Sequence, residues 1–226
     1  MSDPQFAGAH KINDSFLAPI ERRFGPALVR RIPGWLETYH LTLLTLVWSA
    51  LIVVFSAWAR SDVRWLWLVS LMIACQYLTD HVDGKVGKLR GTGLVRWGYY
   101  MDHLLDYVFL CAVIVGYALL LPPSSLPMIM ALFAVFGAFM VHTFLVFSVT
   151  ERFTISMMKL GPTEFRLTLI AVNVLLVRFG TRPMVTVVPY VVAGATVVFV
   201  AVVFVTQRAL WRQERGPVRD RAGVLS

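Results

Sequence analysis

Six long stretches of apolar residues run along the chain, separated by short segments rich in charged residues, glycine or proline. Each stretch approaches or passes the roughly 20 residues that an α-helix needs to cross a bilayer. No internal repeat or linker composition divides them. The pattern therefore predicts an all-α polytopic membrane protein with a single domain over 1–226, whose six transmembrane helices cover 37–59, 63–90, 97–121, 126–149, 164–179 and 183–209.

The N-terminal segment 12–31 follows a different pattern, in which apolar residues such as Phe16 and Ile20 are mixed with pairs of arginines. It is too charged to span a bilayer but suited to the membrane surface, where basic residues attract anionic lipid head groups. We predict an amphipathic interfacial helix that ends before Pro33 and Gly34, with a soluble docking arm as the alternative. The segment 210–226 is a basic tail.

Composition and charge agree with a membrane location. Hydrophobic residues make up 58% of the chain, more than the roughly 45–50% of a soluble domain. Lysine and arginine outnumber the acids 21 to 13, which on a soluble surface could indicate a nucleic-acid partner. With six alternating spans, however, only Arg60, Arg64, Arg178 and Arg182 fall outside. Basic residues favour the cytoplasmic side, so we expect both termini in the cytoplasm, a cell-membrane location and no nucleic acid.

Four of the thirteen acids stand at the cytoplasmic ends of the second and third predicted helices. Asp80 and Asp83 are three residues apart and Asp102 and Asp106 four apart, so each pair shares a helix face. A short segment joins these helices, which we expect to be antiparallel neighbours. Clustered carboxylates raise one another's pKa unless cations balance them, and oxygen ligands suit Mg²⁺ or Mn²⁺. The pattern indicates a metal site, with two ions as the arrangement suited to phosphoryl chemistry.

Glycines and basic residues accompany these acids. Gly84 and Gly87 leave a strip of backbone that a ligand or another helix can approach closely. Lys85, Lys88 and Arg90 add positive charge beside it, which favours a phosphate-bearing ligand. The alternative is that the acids are ordinary helix-end charges paired with nearby basic residues, but four acids at helical spacing disfavour it.

The acids and glycines together resemble the signature of the CDP-alcohol phosphotransferase family, Asp-x2-Asp-Gly-x2-Ala-Arg, a spacer, and Gly-x3-Asp-x3-Asp. The matching residues are Asp80, Asp83, Gly84, Gly98, Asp102 and Asp106. The six-helix layout and the basic N-terminal segment also look like this family. Three features depart from it: Gly87 replaces alanine, Lys88 replaces arginine, and the spacer is one residue longer. Lysine keeps the charge but loses the bidentate fork, so Arg90 is a candidate for some of the phosphate contacts.

The resemblance implies a transferase of phospholipid synthesis. A phosphatidyl or phospho-alcohol group would pass from a CDP-linked donor to an alcohol hydroxyl, with release of CMP and one reactant a lipid. Asp80, Asp83, Asp102 and Asp106 would bind two Mg²⁺ or Mn²⁺ ions, with Asp106 also acting as the general base. Gly84 and Gly87 would line the cytidine site, and Lys88 would contact the phosphates. A homodimer is also expected.

Several weaker signals and alternatives stay open. The run from Gly161 to Glu164 is typical of a helix start, with Arg152, Lys159 and Arg166 as possible anion contacts. His81 and His103 point away from the signature acids. Two other functions are possible: an ion-coupled transporter, which one-sided acids without a repeat disfavour, and a catalytically silent family member. The donor is either CDP-diacylglycerol, which we favour, or a CDP-linked alcohol used with diacylglycerol.

Overall fold

The computed structural model describes Val29 and residues 32–91, 94–150 and 162–215 of the chain. In this part the long elements are α1 (Thr38–Trp58), α2 (Leu66–Arg90), α3 (Val95–Leu120), α4 (Leu126–Thr150), α5 (Pro162–Phe179) and α6 (Arg182–Arg215). Short 3-10 turns at Val63–Trp65 and Pro123–Ser125 lead into α2 and α4. The all-α prediction is confirmed, and apart from the end of α6 the helix bounds lie within three residues of those expected from the apolar pattern.

Four of the described helices are long and apolar enough to cross a membrane. They are Thr38–Trp58, Val95–Leu120, Pro123–Thr150 with its leading 3-10 turn, and Arg182–Arg215. Helices α2 and α5 fall outside this group, and both carry polar residues that the bundle buries, such as Gln76 in α2 and Arg166 and Asn173 in α5. These four helices indicate an integral membrane protein. The count of six spans stays a prediction.

Helix α1 is central to the bundle, since it packs against both α2 and α3. Its buried face is largely a stripe of small hydroxyl residues, Thr38, Thr42, Thr45, Ser49 and Ser56. Small side chains allow helices to approach closely, and the contact with α3 is tight: a Cβ atom added to Gly116 would lie 2.5 Å from Ser56 Oγ. Large aliphatic residues such as Leu46 and Val54 face outward from α1, as expected of a lipid-facing surface.

Two apolar cores hold the remaining helices. The first combines residues of α1, α2, α3 and α5, among them Ile52, Ile73, Phe109 and Leu169. The second joins α3, α4 and α6 through Leu110, Ile114, Leu121, Ile129, Leu132 and Val188. Helix α5 packs on α2, whereas α6 packs on α4. The bundle therefore has one half built around α1 and another built around α4 and α6.

The structure describes the C-terminal end of the predicted bundle up to Arg215, but it describes only Val29 of the predicted interfacial helix. Helix α6 continues to Arg215, so the predicted end at residue 209 is wrong. Basic residues in the last turn favour a helix C-terminus, and the Arg215 guanidinium lies 4.3 Å from the Trp211 ring one turn earlier. The predicted interfacial helix 12–31 lies outside the described residues apart from Val29, which is buried with Leu41, Val82 and Val86. Residues 216–226 of the basic tail also lie outside them.

Candidate active site

The four signature acids lie where α2 ends and α3 begins. Helix α2 ends at Gly91, whose φ of 66° is a left-handed conformation that glycine adopts readily and whose N–H donates to the Gly87 carbonyl. Each of the two helices packs more closely against α1 than against the other. The expectation that α2 and α3 would be direct neighbours is therefore wrong for the described residues, because both helices pack on α1 instead. Their acidic ends are connected through a third element, α5.

Arg166 of α5 makes this connection. Its side chain is only 4% exposed, and its Nη2 atom lies 3.0 Å from Asp80 Oδ2 and 3.2 Å from Asp106 Oδ1. Its Nε–H donates to Oε1 of Gln76, at 2.6 Å, and its Cζ atom lies 5.6 Å from the centre of the Phe109 ring. One buried guanidinium thus joins an acid from α2 to an acid from α3.

The charge balance explains why this arginine can be buried. Removing a guanidinium from water is costly, and burial without partners would be strongly unfavourable. Asp80 and Asp106 supply the main compensating attraction, with a weaker one from Asp102. Conversely, Asp80 and Asp106 both lie within hydrogen-bonding distance of Nη2. Two ionised carboxylates so close together repel each other unless a cation lies between them. Asp80 and Asp106 keep side-chain exposures of 23% and 37%, so the acids still border solvent.

Asp83 lies in a different environment. It is 8% exposed, and its Oδ2 atom accepts a hydrogen bond of 2.7 Å from the Thr42 hydroxyl of α1. The Thr38 hydroxyl donates to the Asp83 backbone carbonyl, at 3.2 Å, and the Gly84 N–H donates to Asp83 Oδ1. The hydroxyl stripe of α1 therefore both packs the helices and orients this carboxylate.

Asp102 and the two neighbouring histidines complete the acidic end. Asp102 has a side-chain exposure of 32%, and its Oδ2 atom lies 3.9 Å from His103 Nδ1. The same nitrogen lies 2.7 Å from the Tyr99 carbonyl oxygen, and the His103 ring packs near Phe144 of α4. His81 contacts the Lys85 ammonium group on its own helix. His81 therefore contacts a neighbouring lysine, whereas His103 lies near Asp102 although its helical position predicted that it would point away from the acids.

The residues expected to bind the nucleotide divide into two groups. Gly84 and Lys88 are exposed on α2, whereas Gly87 is buried. Among the described residues, a Cβ atom added to Gly84 or Gly98 would meet no neighbouring atom within 4 Å, so packing in this part of the chain does not require either glycine. Open space above these glycines suits the close approach of a ligand.

Arg90 has a different set of contacts. Its guanidinium donates to the backbone carbonyls of Ile32, Pro33, Gly34 and Leu36, at 3.1, 3.0, 3.3 and 2.7 Å. These carbonyls belong to the turn before α1, where intrahelical partners are absent. Arg90 thus ties the end of α2 to the chain that leads in from the N-terminal segment.

The chemistry of the acids suits a divalent metal, although the acids are spread out. Four carboxylates with oxygen donors fit Mg²⁺ or Mn²⁺, and the burial of Arg166 among them indicates a strongly negative environment. Among the described residues, no three His, Cys, Asp or Glu side chains come close enough to hold one ion. In the arrangement described, the cation between Asp80 and Asp106 is the arginine.

A small apolar groove lies beside the acids, between α2 and α5. Its lining residues are Ile73, Ala74, Tyr77, Thr163, Arg166, Leu167 and Ile170. Arg166 is thus shared between the acidic cluster and this groove. The arrangement brings an apolar surface to within one side chain of Asp80 and Asp106.

The sequence pattern indicates Arg166 only as a possible anion contact and does not predict its link to the signature acids. The available signal was an arginine within an apolar helix, because charges inside membrane helices are rare and usually functional. Helix α5 does begin at Pro162 with Glu164 in its first turn, as expected. The other two possible anion contacts, Arg152 and Lys159, lie outside the described residues.

These features define a polytopic membrane protein with an acidic site at one end of its helix bundle. The sequence model of the CDP-alcohol phosphatidyltransferase family matches residues 39–208, well over half of the chain. The chain belongs to this family, and its class is that of a membrane transferase of phospholipid synthesis. No curated protein matches the chain at a significant level.

Proposed function

We propose that this protein moves a phosphatidyl or phospho-alcohol group from a CDP-linked donor to an alcohol hydroxyl and releases CMP. CDP-diacylglycerol is the preferred donor of this proposal. The observation that carries it is the meeting of Asp80 from α2 and Asp106 from α3 at one buried cation. This part of the matched family region would neutralise the negative charge of the donor pyrophosphate.

The donor nucleotide would lie along α2. Gly84, which is exposed, would allow close approach to the backbone, and Lys88 would contact the phosphates as a single charge. Gly87 would line the site only through its small size, because it is buried. We assign Arg90 a smaller part in phosphate binding than its charge alone suggested, because its guanidinium is engaged with four backbone carbonyls. Lys88 is then the principal phosphate contact on this face of α2.

Asp106 is the proposed general base. Among the signature acids Asp80, Asp102 and Asp106, its side chain is the most exposed, at 37%, so an acceptor hydroxyl can reach it. It would take the proton of that hydroxyl as the oxygen attacks the phosphorus on the side of the donor away from the CMP leaving group. Positioning and charge neutralisation supply most of the catalysis in such transfers.

Asp80, Asp83, Asp102 and Asp106 would together hold two Mg²⁺ or Mn²⁺ ions. Bound ions would neutralise the pyrophosphate oxygens and stabilise the developing charge on the leaving group. Thr42 would keep the Asp83 carboxylate oriented through its hydrogen bond. The apolar groove beside Arg166 would accommodate the acyl part of the lipid reactant.

The remaining features concern the placement of the whole chain. We infer six spans, with α2 and α5 crossing inside the bundle, and a cytoplasmic location for the acidic end and both termini at the cell membrane. The support is the distribution of basic residues along the sequence. A homodimer is also part of this proposal, and crosslinking of the purified protein in detergent would test it.

The activity can be tested with the purified full-length protein in detergent and Mg²⁺. CMP release would be measured with CDP-diacylglycerol against glycerol phosphate, inositol phosphate, serine and choline, and with CDP-choline and CDP-ethanolamine against diacylglycerol. We expect release with one donor class, and its loss in Asp106→Asn. Asp62→Asn is the matched control, because Asp62 is an exposed acid that contacts only the turn at Arg64 among the described residues. No release with any pair, or undiminished release in Asp106→Asn, would overturn the proposal.

A further inference from the structure

Arg166 holds the position that a cation between Asp80 and Asp106 would take. Its Nη2 atom is within hydrogen-bonding distance of one oxygen from each acid. A divalent ion bound by the same two carboxylates would bring a second positive charge next to the guanidinium, and like charges at such short range repel strongly. The arginine and a metal ion therefore compete for the same negative charge.

We propose that Arg166 is a positioning residue that supplies the counter-charge for Asp80 and Asp106 in the metal-free protein and lowers the affinity of these acids for a divalent cation. The second half rests on the metal site of the proposed function, whereas the first half does not. Arginine suits this role because its guanidinium stays charged at all accessible pH values and offers several donors in a fixed plane.

The other contacts of Arg166 would let its Nη2 atom leave the two carboxylates when a metal ion binds, without unfolding the protein. Its Nε atom is bonded to Gln76 rather than to an acid, so one contact with α2 survives if Nη2 leaves the carboxylates. Farther along α5, Asn173 accepts a hydrogen bond from the Tyr117 hydroxyl and donates one to Ser70 Oγ. These bonds lie about 10 Å from Arg166 along the helix axis. Helix α5 therefore has an anchor that does not depend on the acidic site.

The counter-charge can be tested without any metal. Thermal unfolding in EDTA would be compared for the wild type, Arg166→Gln, Asp80→Asn and the double variant. We expect Arg166→Gln to lower the melting temperature by several degrees, and Asp80→Asn to restore most of that loss, because it removes the unbalanced charge. Losses that simply add in the double variant would show a packing role and overturn the proposal. If Arg166→Gln does not fold, recovery of folded protein in the double variant supports the counter-charge, and failure to recover it contradicts it.

The competition needs a metal-binding measurement. Free Mn²⁺ would be quantified by electron paramagnetic resonance in titrations of the wild type, Arg166→Gln, Arg166→Lys and Arg178→Gln. We expect Arg166→Gln to bind Mn²⁺ roughly tenfold more tightly than the wild type, since a neighbouring positive charge is removed. Arg166→Lys retains the charge and should stay close to the wild type. Arg178→Gln is the matched control, because Arg178 is an exposed arginine on the same helix.

Different results would contradict the two halves of the proposal, the counter-charge and the competition with a metal ion. Unchanged or weaker Mn²⁺ binding in Arg166→Gln, with clear binding by the wild type, would overturn the competition while leaving the metal site intact. Absence of Mn²⁺ binding in both proteins would overturn the competition together with the metal site of the proposed function. The EDTA unfolding series would still decide whether Arg166 is the counter-charge.

Discussion

Two seams of the bundle are built on different principles. Where α1 meets α3, small residues allow the backbones to come close, as at Gly116 and Ser56. Where α2 meets α5, buried polar groups add to the apolar contact: Arg166 with Gln76 and Asp80, and Asn173 with Ser70. The first seam depends on shape, whereas the second also depends on hydrogen bonds and charge.

This difference matters for function. Close packing of small side chains has few alternative arrangements. The α1–α3 seam can therefore serve as a fixed scaffold for α3, which carries Asp102 and Asp106. Polar contacts can exchange one partner for another when a ligand brings competing charge, as Arg166 could between Asp80 and Asp106. The acidic end of the bundle, where we propose the active site, is therefore on the seam whose contacts can be rearranged.

The largest expected effect concerns the acids themselves. Asp102→Asn should reduce CMP release by roughly a thousandfold, equivalent to about 4 kcal/mol of transition-state stabilisation. The melting temperature should change little, because Asp102 keeps about a third of its side chain exposed. Steady-state CMP release and thermal unfolding of the same preparation measure the two quantities. A parallel loss of both would mean that Asp102 belongs to the scaffold instead.

The shape-dependent seam is tested by a larger side chain. Gly116→Leu should destabilise the protein by about 3 kcal/mol, because the new side chain meets Ser56 across the α1–α3 contact. Gly137→Leu on α4 is the matched control, since a Cβ atom there would meet no neighbouring atom of the described residues within 4 Å. Unfolding in mixed micelles with increasing SDS would give both values. Equal stability of the two variants would show that the seam is not tightly packed.

The polar seam is tested away from the acids. Asn173→Leu should cost about 2 kcal/mol, because it leaves the Tyr117 hydroxyl and Ser70 Oγ without this buried partner. Adding Tyr117→Phe should recover part of the loss, since it removes one unsatisfied group. The same SDS titration measures both variants. No recovery in the double variant would argue that the hydrogen bond itself contributes little.

The smallest effect is expected at the end of α2. Arg90→Lys should lower stability by about 1 kcal/mol, because one ammonium group cannot serve the four carbonyls before α1 as the planar guanidinium does. Arg64→Lys is the control, because Arg64 is exposed and its ion pair with Asp62 is long, at 4.0 Å. Faster proteolysis at residues 32–36 in Arg90→Lys, and not in Arg64→Lys, would support this contact. Identical cleavage rates would contradict it.

Much of the fold could be predicted from local pattern. The helix bounds followed from apolar runs and from turn residues such as Pro122 and Gly180, because these features act over a few neighbouring positions. The end of α6 was missed, since the stretch up to Arg215 is too polar to resemble a span and is helical by contacts such as that of Arg215 with Trp211. Apolar runs thus predicted where membrane helices lie better than where helical structure stops.

The candidate site was predictable in its acids but not in its partners. The spacing from Asp80 to Asp106 identified the carboxylates, because helical spacing places each pair on one face. Nothing local could link Asp80 to Arg166, which lies 86 positions along the chain. Nor could it show that Arg90 would bond to the carbonyls of residues 32–36.

The helical class, the membrane character and the family signature can be read along the sequence, because hydropathy, helical periodicity and motif spacing are properties of neighbouring residues. The packing of the helices places α1 against both signature helices, lets Thr42 orient Asp83 and brings Arg166 between Asp80 and Asp106. Those contacts join distant parts of the chain. They depend on how the helices pack, and on which buried charges must find a partner once water is excluded.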